Sequence, residues 1–231
     1  MSDQISTKGS QDGLHQGQQV YTAGKPLAEA GAAMILVHGR GANAPDILQL
    51  ANEFHQPELA YLAPQAAGNT WYPQSFMEPI ERNEPWLSSA LGVLAELLRQ
   101  IEATGIPAEK IILGGFSQGA CLASEFVARI ARRNARRDAR RYGGLIAFSG
   151  GLIGPPGTPR DYEGSLDGMP IFLGCSDVDF HIPKERVHET AVTFERMGAT
   201  VTERLYPNMG HTIIQDEIEH ARKILQAVVM E

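Results

Sequence analysis

The chain has 231 residues, of which 43% are hydrophobic, 7% aromatic and 20% charged, with a formal net charge of -7. That length supports one substantial core and that composition is ordinary for a globular α/β domain, while the acidic balance excludes a broad nucleic-acid-binding surface. Two cysteines, Cys121 and Cys175, at no ligand-like spacing, exclude a disulfide scaffold and a cysteine zinc site, and point to a reducing, cytoplasmic setting.

The opening MSDQISTKGSQDGLHQGQQV is polar and lacks the basic-then-apolar order of a secretory signal, and no later stretch is long enough to insert stably into a membrane. A flexible tail is expected over 1–15 and a single domain over 16–231. After an early strand around 18–24 come strand candidates at 32–39 (AAMILVHG), 59–64 (LAYLAP), 110–116 (KIILGGF), 144–150 (GLIAFSG), 169–175 (MPIFLGC) and 201–207 (VTERLYP). Helical periodicity fills the intervals at 45–55, 86–104, 118–133, 184–198 and 212–229, with Pro45 and Pro183 in first turns. Strands alternating with helices predict an α/β fold, a mostly parallel sheet with helices on both faces.

Two connections are long, 64–85 and 150–168, and both follow strand ends, where α/β sheets bind their ligands. The run RIARRNARRDARRY at 129–142 gathers seven arginines, from Arg129 to Arg141, and reads as a solvated helix extension.

The stretch KIILGGFSQGACLASEF places Ser117 in a G-x-S-x-G pattern between a strand and a helix. A serine on so sharp a turn crowds the positions two residues away on each side, which requires hydrogen in place of a side chain at Gly115 and Gly119. The helix N-terminus favours the negative charge that develops when the hydroxyl attacks. A serine needs a base to be a nucleophile. Chain order leaves His181, His188, His211 and His220; His188 and His220 fall within helices, and His211, on the loop after the last strand in YPNMGHTII, sits where a base can reach over the sheet end and is the candidate. The loop after the preceding strand, GCSDVDFHIP, offers two carboxylates. Asp179 is favoured to orient the imidazole and Asp177 remains the alternative. The DVDFH run also reads as metal ligands, but no further ligands complete such a set, so no metal is expected. Oxyanion donors are expected from the backbone N–H of Gln118 and from the Gly-flanked Arg40 in LVHGRG, with His38 structuring that loop.

The four landmarks LVHGRG, GFSQG, DFHIP and GHT, in this order across residues 30–229, together resemble the phospholipase/carboxylesterase family of α/β-hydrolases, which includes acyl-protein thioesterases. The resemblance implies an α/β-hydrolase fold without a large lid, Ser117, Asp179 and His211 as the triad, and Arg40 and Gln118 as oxyanion donors. It further implies hydrolysis of esters or thioesters without a cofactor, often by a homodimer. The chain departs from the family pattern at Ala42-Asn43, at Phe180 where proline is usual, and at Trp71-Tyr72-Pro73. Trp71, Tyr72, Phe76, Leu152, Ile153 and Met209 are expected to line an apolar groove. Short loops favour small to medium acyl esters as the small-molecule substrate. The alternatives are thioesterase or lysophospholipase action on longer chains, and a non-catalytic binding protein.

Overall fold

The computed structural model describes residues 13–134 and 141–230. Seven strands, β1 (Val20–Gly24), β2 (Ala32–Val37), β3 (Leu59–Pro64), β4 (Ile111–Phe116), β5 (Gly144–Phe148), β6 (Pro170–Ser176) and β7 (Thr200–Tyr206), form one sheet in the order β1-β3-β2-β4-β5-β6-β7. All pairings are parallel except that of the edge strand β1, which runs antiparallel to β3. The helices are α1 (Ala44–Leu48), α2 (Leu50–Phe54), α3 (Trp86–Ala103), α4 (Gln118–Asn134), α5 (Lys184–Arg196) and α6 (Gln215–Met230).

Strands β2 and β3 are buried along their whole length, as expected of strands covered on both faces. Successive residues alternate between two cores. Ile35, Val37, Leu113 and Leu173 face the helices α3, α4 and α5, whereas Met34, Leu36, Ile112 and Phe172 face α1 and α6. Among the described residues no helix is long and apolar enough to cross a membrane.

The structure departs from the sequence reading at three places. The helix expected over 45–55 is two short ones, because the Gln49 N–H turns back to Asp46 O at 3.2 Å and tightens the chain there. The expected tail over 1–15 ends earlier than position 15. Residues 1–12 lie outside the described residues, but His15 is buried, wedged 5.3 Å from the Trp71 ring and 5.4 Å from that of Trp86. Its Nε2 bonds Trp71 O at 2.9 Å and its Nδ1 accepts from the Ala67 N–H at 3.1 Å. Burial lowers its pKa, in keeping with a neutral ring that donates from one nitrogen and accepts at the other. Of the arginine run, the side chains from 132 to 140 lie outside the described residues, while Arg129 pairs with Glu125 at 2.6 Å.

Helix α6 starts three residues later than its periodicity suggests, because Glu217 caps it. The Glu217 carboxylate accepts from the Ile214 N–H at 2.9 Å, the reciprocal half of a capping box. The carboxyl is wholly buried, and a Cβ at Gly174 would meet its Oε1 at 2.3 Å, so a side chain at position 174 is excluded. Burial pushes the Glu217 pKa up from 4.5 to about 7, against the pull of the Ile214 N–H. The folded chain therefore holds this proton more tightly than the unfolded chain. Its contribution to stability falls as pH rises from 4.5 through about 7, reaching a cost on the order of 3 kcal/mol above that range. Glu217→Gln keeps an acceptor for Ile214 and removes the charge. Thermal melts should show the variant several degrees more stable than the wild type at pH 8 and no such gain at pH 5, and equal shifts at both pH values would exclude Glu217 as the titrating group.

Candidate active site

Strand β4 runs into α4 through a single residue, Ser117, held at φ 55°, in the left-handed region. Such a conformation is strained for a residue with a side chain. Two backbone bonds hold it there, from the Ser117 N–H to Phe148 O at 2.9 Å and from the Cys121 N–H to Ser117 O at 3.0 Å. The flanking glycines are required by the close passage of this turn across the end of β2. A Cβ at Gly119 would lie 2.1 Å from Val37 O and 2.6 Å from His38 O, and one at Gly115 would lie 2.8 Å from Val37 O.

Above this turn the Ser117 Oγ meets His211 Nε2 at 2.9 Å, and His211 Nδ1 meets Asp179 Oδ2 at 2.6 Å. Burial raises the proton affinity of Asp179, but the His211 ring and the N–H groups of His181 (2.8 Å) and Ile182 (3.1 Å) outweigh it and hold the carboxyl below its ordinary pKa. With Asp179 ionised, Nδ1 carries the imidazole proton and Nε2 is left to accept from the serine hydroxyl. The two carboxylates that the sequence offered have different partners. Asp177 turns away from the ring and accepts from the Asn208 N–H at 2.8 Å, while its own N–H donates to Tyr206 O at 3.1 Å. It thereby ties the loop carrying His211 to the end of β6. The two carboxylates thus serve different partners, and among the described residues no group of three His, Cys, Asp or Glu is arranged to hold a metal.

Arg40 and Gln118, the two expected oxyanion donors, both border the cleft that Ser117 lines. The Gln118 N–H belongs to the first turn of α4, where a helix has no internal acceptor to offer, and the Arg40 N–H has no hydrogen-bond partner among the described residues. Their side chains do a second job. The Gln118 amide accepts from the Trp71 N–H at 2.9 Å and donates to Tyr72 O at 2.8 Å. The Arg40 guanidinium donates to Thr70 Oγ1, Pro73 O and Gln74 O at 3.1, 3.0 and 2.6 Å. Together they fasten the loop 70–74 against the serine turn. His38 is a fully buried loop-structuring residue, with Nδ1 bonded to Gly39 O and Nε2 accepting from the Ala66 N–H; burial lowers its pKa.

A cleft of about 480 Å³ opens over the serine. Of the residues expected to line it, Tyr72 and Phe76 do so. Trp71, Ile153 and Met209 are absent from its walls. The Trp71 indole is fully buried beneath, donating to His38 O at 2.9 Å. Leu152 and Ile153 are likewise buried, drawn inward because their loop is anchored by its backbone. Arg186 donates to Leu152 O and Gly154 O, Arg160 donates to Ile153 O, and Glu125 accepts from the Ile153 N–H. Sequence reasoning did not single out Cys121, His181 and Ile182 as cleft residues. Cys121 was within reach of it, since it lies one helical turn beyond Ser117 and must share its face. Burial pushes its thiol up to about 12, so it enters the wall as an apolar surface rather than as a nucleophile.

Comparison with known proteins bears on the family and the fold. The model of the phospholipase/carboxylesterase family matches residues 20–229. Among solved structures, that of a phospholipase/carboxylesterase from Dyadobacter fermentans is 42% identical with a TM-score of 0.84, covering 90% of this chain and 96% of that one. An acyl-protein thioesterase 1 from Eremothecium gossypii is 26% identical over 84% of this chain and 87% of its own length. That from Debaryomyces hansenii is 28% identical over 56% of this chain and 53% of its own, so the match spans about half of that relative. A family model that covers nearly the whole described domain, together with a solved relative that shares its fold throughout, shows that the chain belongs to the phospholipase/carboxylesterase family of α/β-hydrolases.

Proposed function

We propose that the chain is a cofactor-free serine hydrolase acting on carboxylic esters of small to medium acyl chains in the cytoplasm. The observation that carries this reading is the unbroken relay from Ser117 through His211 to Asp179, at 2.9 and 2.6 Å, at the floor of an open cleft. His211 Nε2 takes the serine proton as Oγ attacks the ester carbon. The carbonyl oxygen becomes an oxyanion between the Arg40 and Gln118 N–H groups, each such donor being worth about 3 kcal/mol. His211 then gives its proton to the leaving alcohol and an acyl-serine forms. A water molecule, deprotonated by the same nitrogen, attacks that ester and releases the acid. Asp179 keeps the imidazole in the accepting tautomer and stabilises the imidazolium.

A thioester is the second substrate class, favoured by the acyl-protein thioesterases among the relatives. The same steps serve it, with a thiol as leaving group. A chain-length series of matched oxygen and sulfur esters ranks the two.

Purified protein should hydrolyse p-nitrophenyl butyrate and react with a fluorophosphonate probe. Ser117→Ala should abolish labelling and lower kcat by about ten-thousand-fold or more; comparable turnover in the variant would refute the assignment of the nucleophile, and a wild type that neither turns over nor labels would leave a binding protein.

The two aspartates give a second measurement. At position 179 an amide can no longer pair with the Nδ1 proton as a charge does and favours the wrong tautomer, so Asp179→Asn should reduce kcat by about ten-thousand-fold. At position 177 an amide oxygen still accepts from the Asn208 N–H, and the loss for Asp177→Asn should stay within about tenfold, the scale of one weakened hydrogen bond. The opposite ranking would transfer the acid to Asp177.

A further inference from the structure

A second imidazole stands on the cleft wall, and no step of the reaction above employs it. His181 belongs to the turn that Asp179 makes when its carboxylate accepts from the N–H groups of His181 and Ile182. That turn sends Ile182 inward, to 2% exposure, and throws Phe180 outward, to 99%. His181 falls between them. It is solvent-exposed and lines the cleft, with its ring centroid 4.8 Å from that of His211 at 59°. Its backbone N–H is used by Asp179, but among the described residues neither ring nitrogen has a hydrogen-bond partner. An imidazole left with an open donor and an open acceptor in a binding cleft has hydrogen-bonding capacity to offer a ligand.

The chemistry of the relay says which part of the ligand. The carbonyl oxygen is directed to the Arg40 and Gln118 N–H groups, and the leaving oxygen must lie within hydrogen-bond reach of His211 Nε2 to receive its proton. The alcohol portion of the ester therefore departs along the His211 side of the cleft, where His181 flanks that ring. The apolar surface of Tyr72 and Cys121 lies instead with Gln118, to whose amide the Tyr72 carbonyl is bonded. On the alcohol side the imidazole of His181, with both ring nitrogens open, is the polar side chain beside His211, among the apolar Phe116 and Ile182.

We propose that His181 is a substrate-binding residue that selects the alcohol half of the ester, favouring leaving groups with a hydroxyl close to the ester oxygen, as in glycol and polyol esters, over plain alkyl ones. This rests on the serine-hydrolase reading above. A hydroxyl in this position can accept from the imidazole N–H or donate to the bare nitrogen, and an alkyl group would desolvate both without replacing them.

Two substrates that differ by one hydroxyl, 2-hydroxyethyl butyrate and ethyl butyrate, test this when butyrate release is followed at constant pH. Each kcat/KM is divided by that ester's rate of hydrolysis by hydroxide, which removes the difference in intrinsic reactivity. The wild type should prefer the hydroxyethyl ester by about tenfold, the worth of one hydrogen bond. His181→Phe, which keeps an aromatic ring against His211, should bring the ratio to about one, and His181→Asn, which keeps a donor and an acceptor, should retain part of the preference. A wild-type ratio near one, or a ratio that survives in His181→Phe, would overturn the assignment. Failure of the hydrolase reading would look different, since wild type and Ser117→Ala would then behave alike on both esters.

Discussion

The site depends on how closely the turn between β4 and α4 passes over the end of β2. The carbonyls of Val37 and His38 leave room for hydrogen alone at Gly119, and Val37 O does the same at Gly115. With both neighbours pressed against β2, the chain reverses within one residue and Ser117 is carried into the left-handed region. The strain, on the order of 1–3 kcal/mol for such a residue, is sustained because the elements on either side are core. β4 is buried through Gly115 and α4 packs Ala120, Cys121, Leu122 and Ala123 without exposure. Burying several such side chains outweighs that strain. The Ser117 side chain is thus aimed by backbone geometry, and its hydroxyl meets His211 Nε2 at 2.9 Å.

The loops around the serine are fixed by a different means, polar side chains that bind loop backbone, all of them buried except the exposed Arg40. On one side Arg40, Gln118 and Asn83 take the amide and carbonyl groups of residues 71–75. On the other Arg186, Arg160 and Glu125 take those of residues 152–154. The buried ones, Gln118, Asn83, Arg186, Arg160 and Glu125, would each be costly to bury alone, and removing one partner strands the other. These contacts fasten the two long connections to the rest of the domain on either side of the serine turn.

Much of this was legible in the sequence because the signals were local. Strand and helix periods, the glycines about Ser117 and the chain order of serine, carboxylates and histidine all report on short-range sterics or on topology. What was not legible depended on contacts distant in sequence. Trp71 reads as a cleft residue from its loop, yet the indole N–H finds His38 O, 33 residues earlier, and is drawn under the site. Ile153 is pulled inward by the partner of its backbone N–H on α4, Glu125, 28 residues earlier. His15 reads as tail because nothing nearby holds it, whereas the two groups its ring bonds, Trp71 O and the Ala67 N–H, lie 56 and 52 residues on. Polar anchoring of this kind carries no period, so composition and spacing cannot reveal it.

The run Asp177-Val178-Asp179-Phe180-His181-Ile182 shows how a few residues can be separated in role by backbone geometry alone. Asp177 holds the position of the His211 loop through Asn208, and Asp179 holds the orientation of the ring through Nδ1. The position of the His211 loop and the orientation of its ring thus rest on separate carboxylates. Asp179 also collects the N–H groups of His181 and Ile182, which with the His211 ring hold its carboxyl below its ordinary pKa against burial, and the chain turns around it. That turn puts an apolar residue into the cleft, an imidazole on its rim and a phenyl ring into water. The phenyl ring at position 180 makes no contribution to the core, and its exposure is a consequence of how the acid is held.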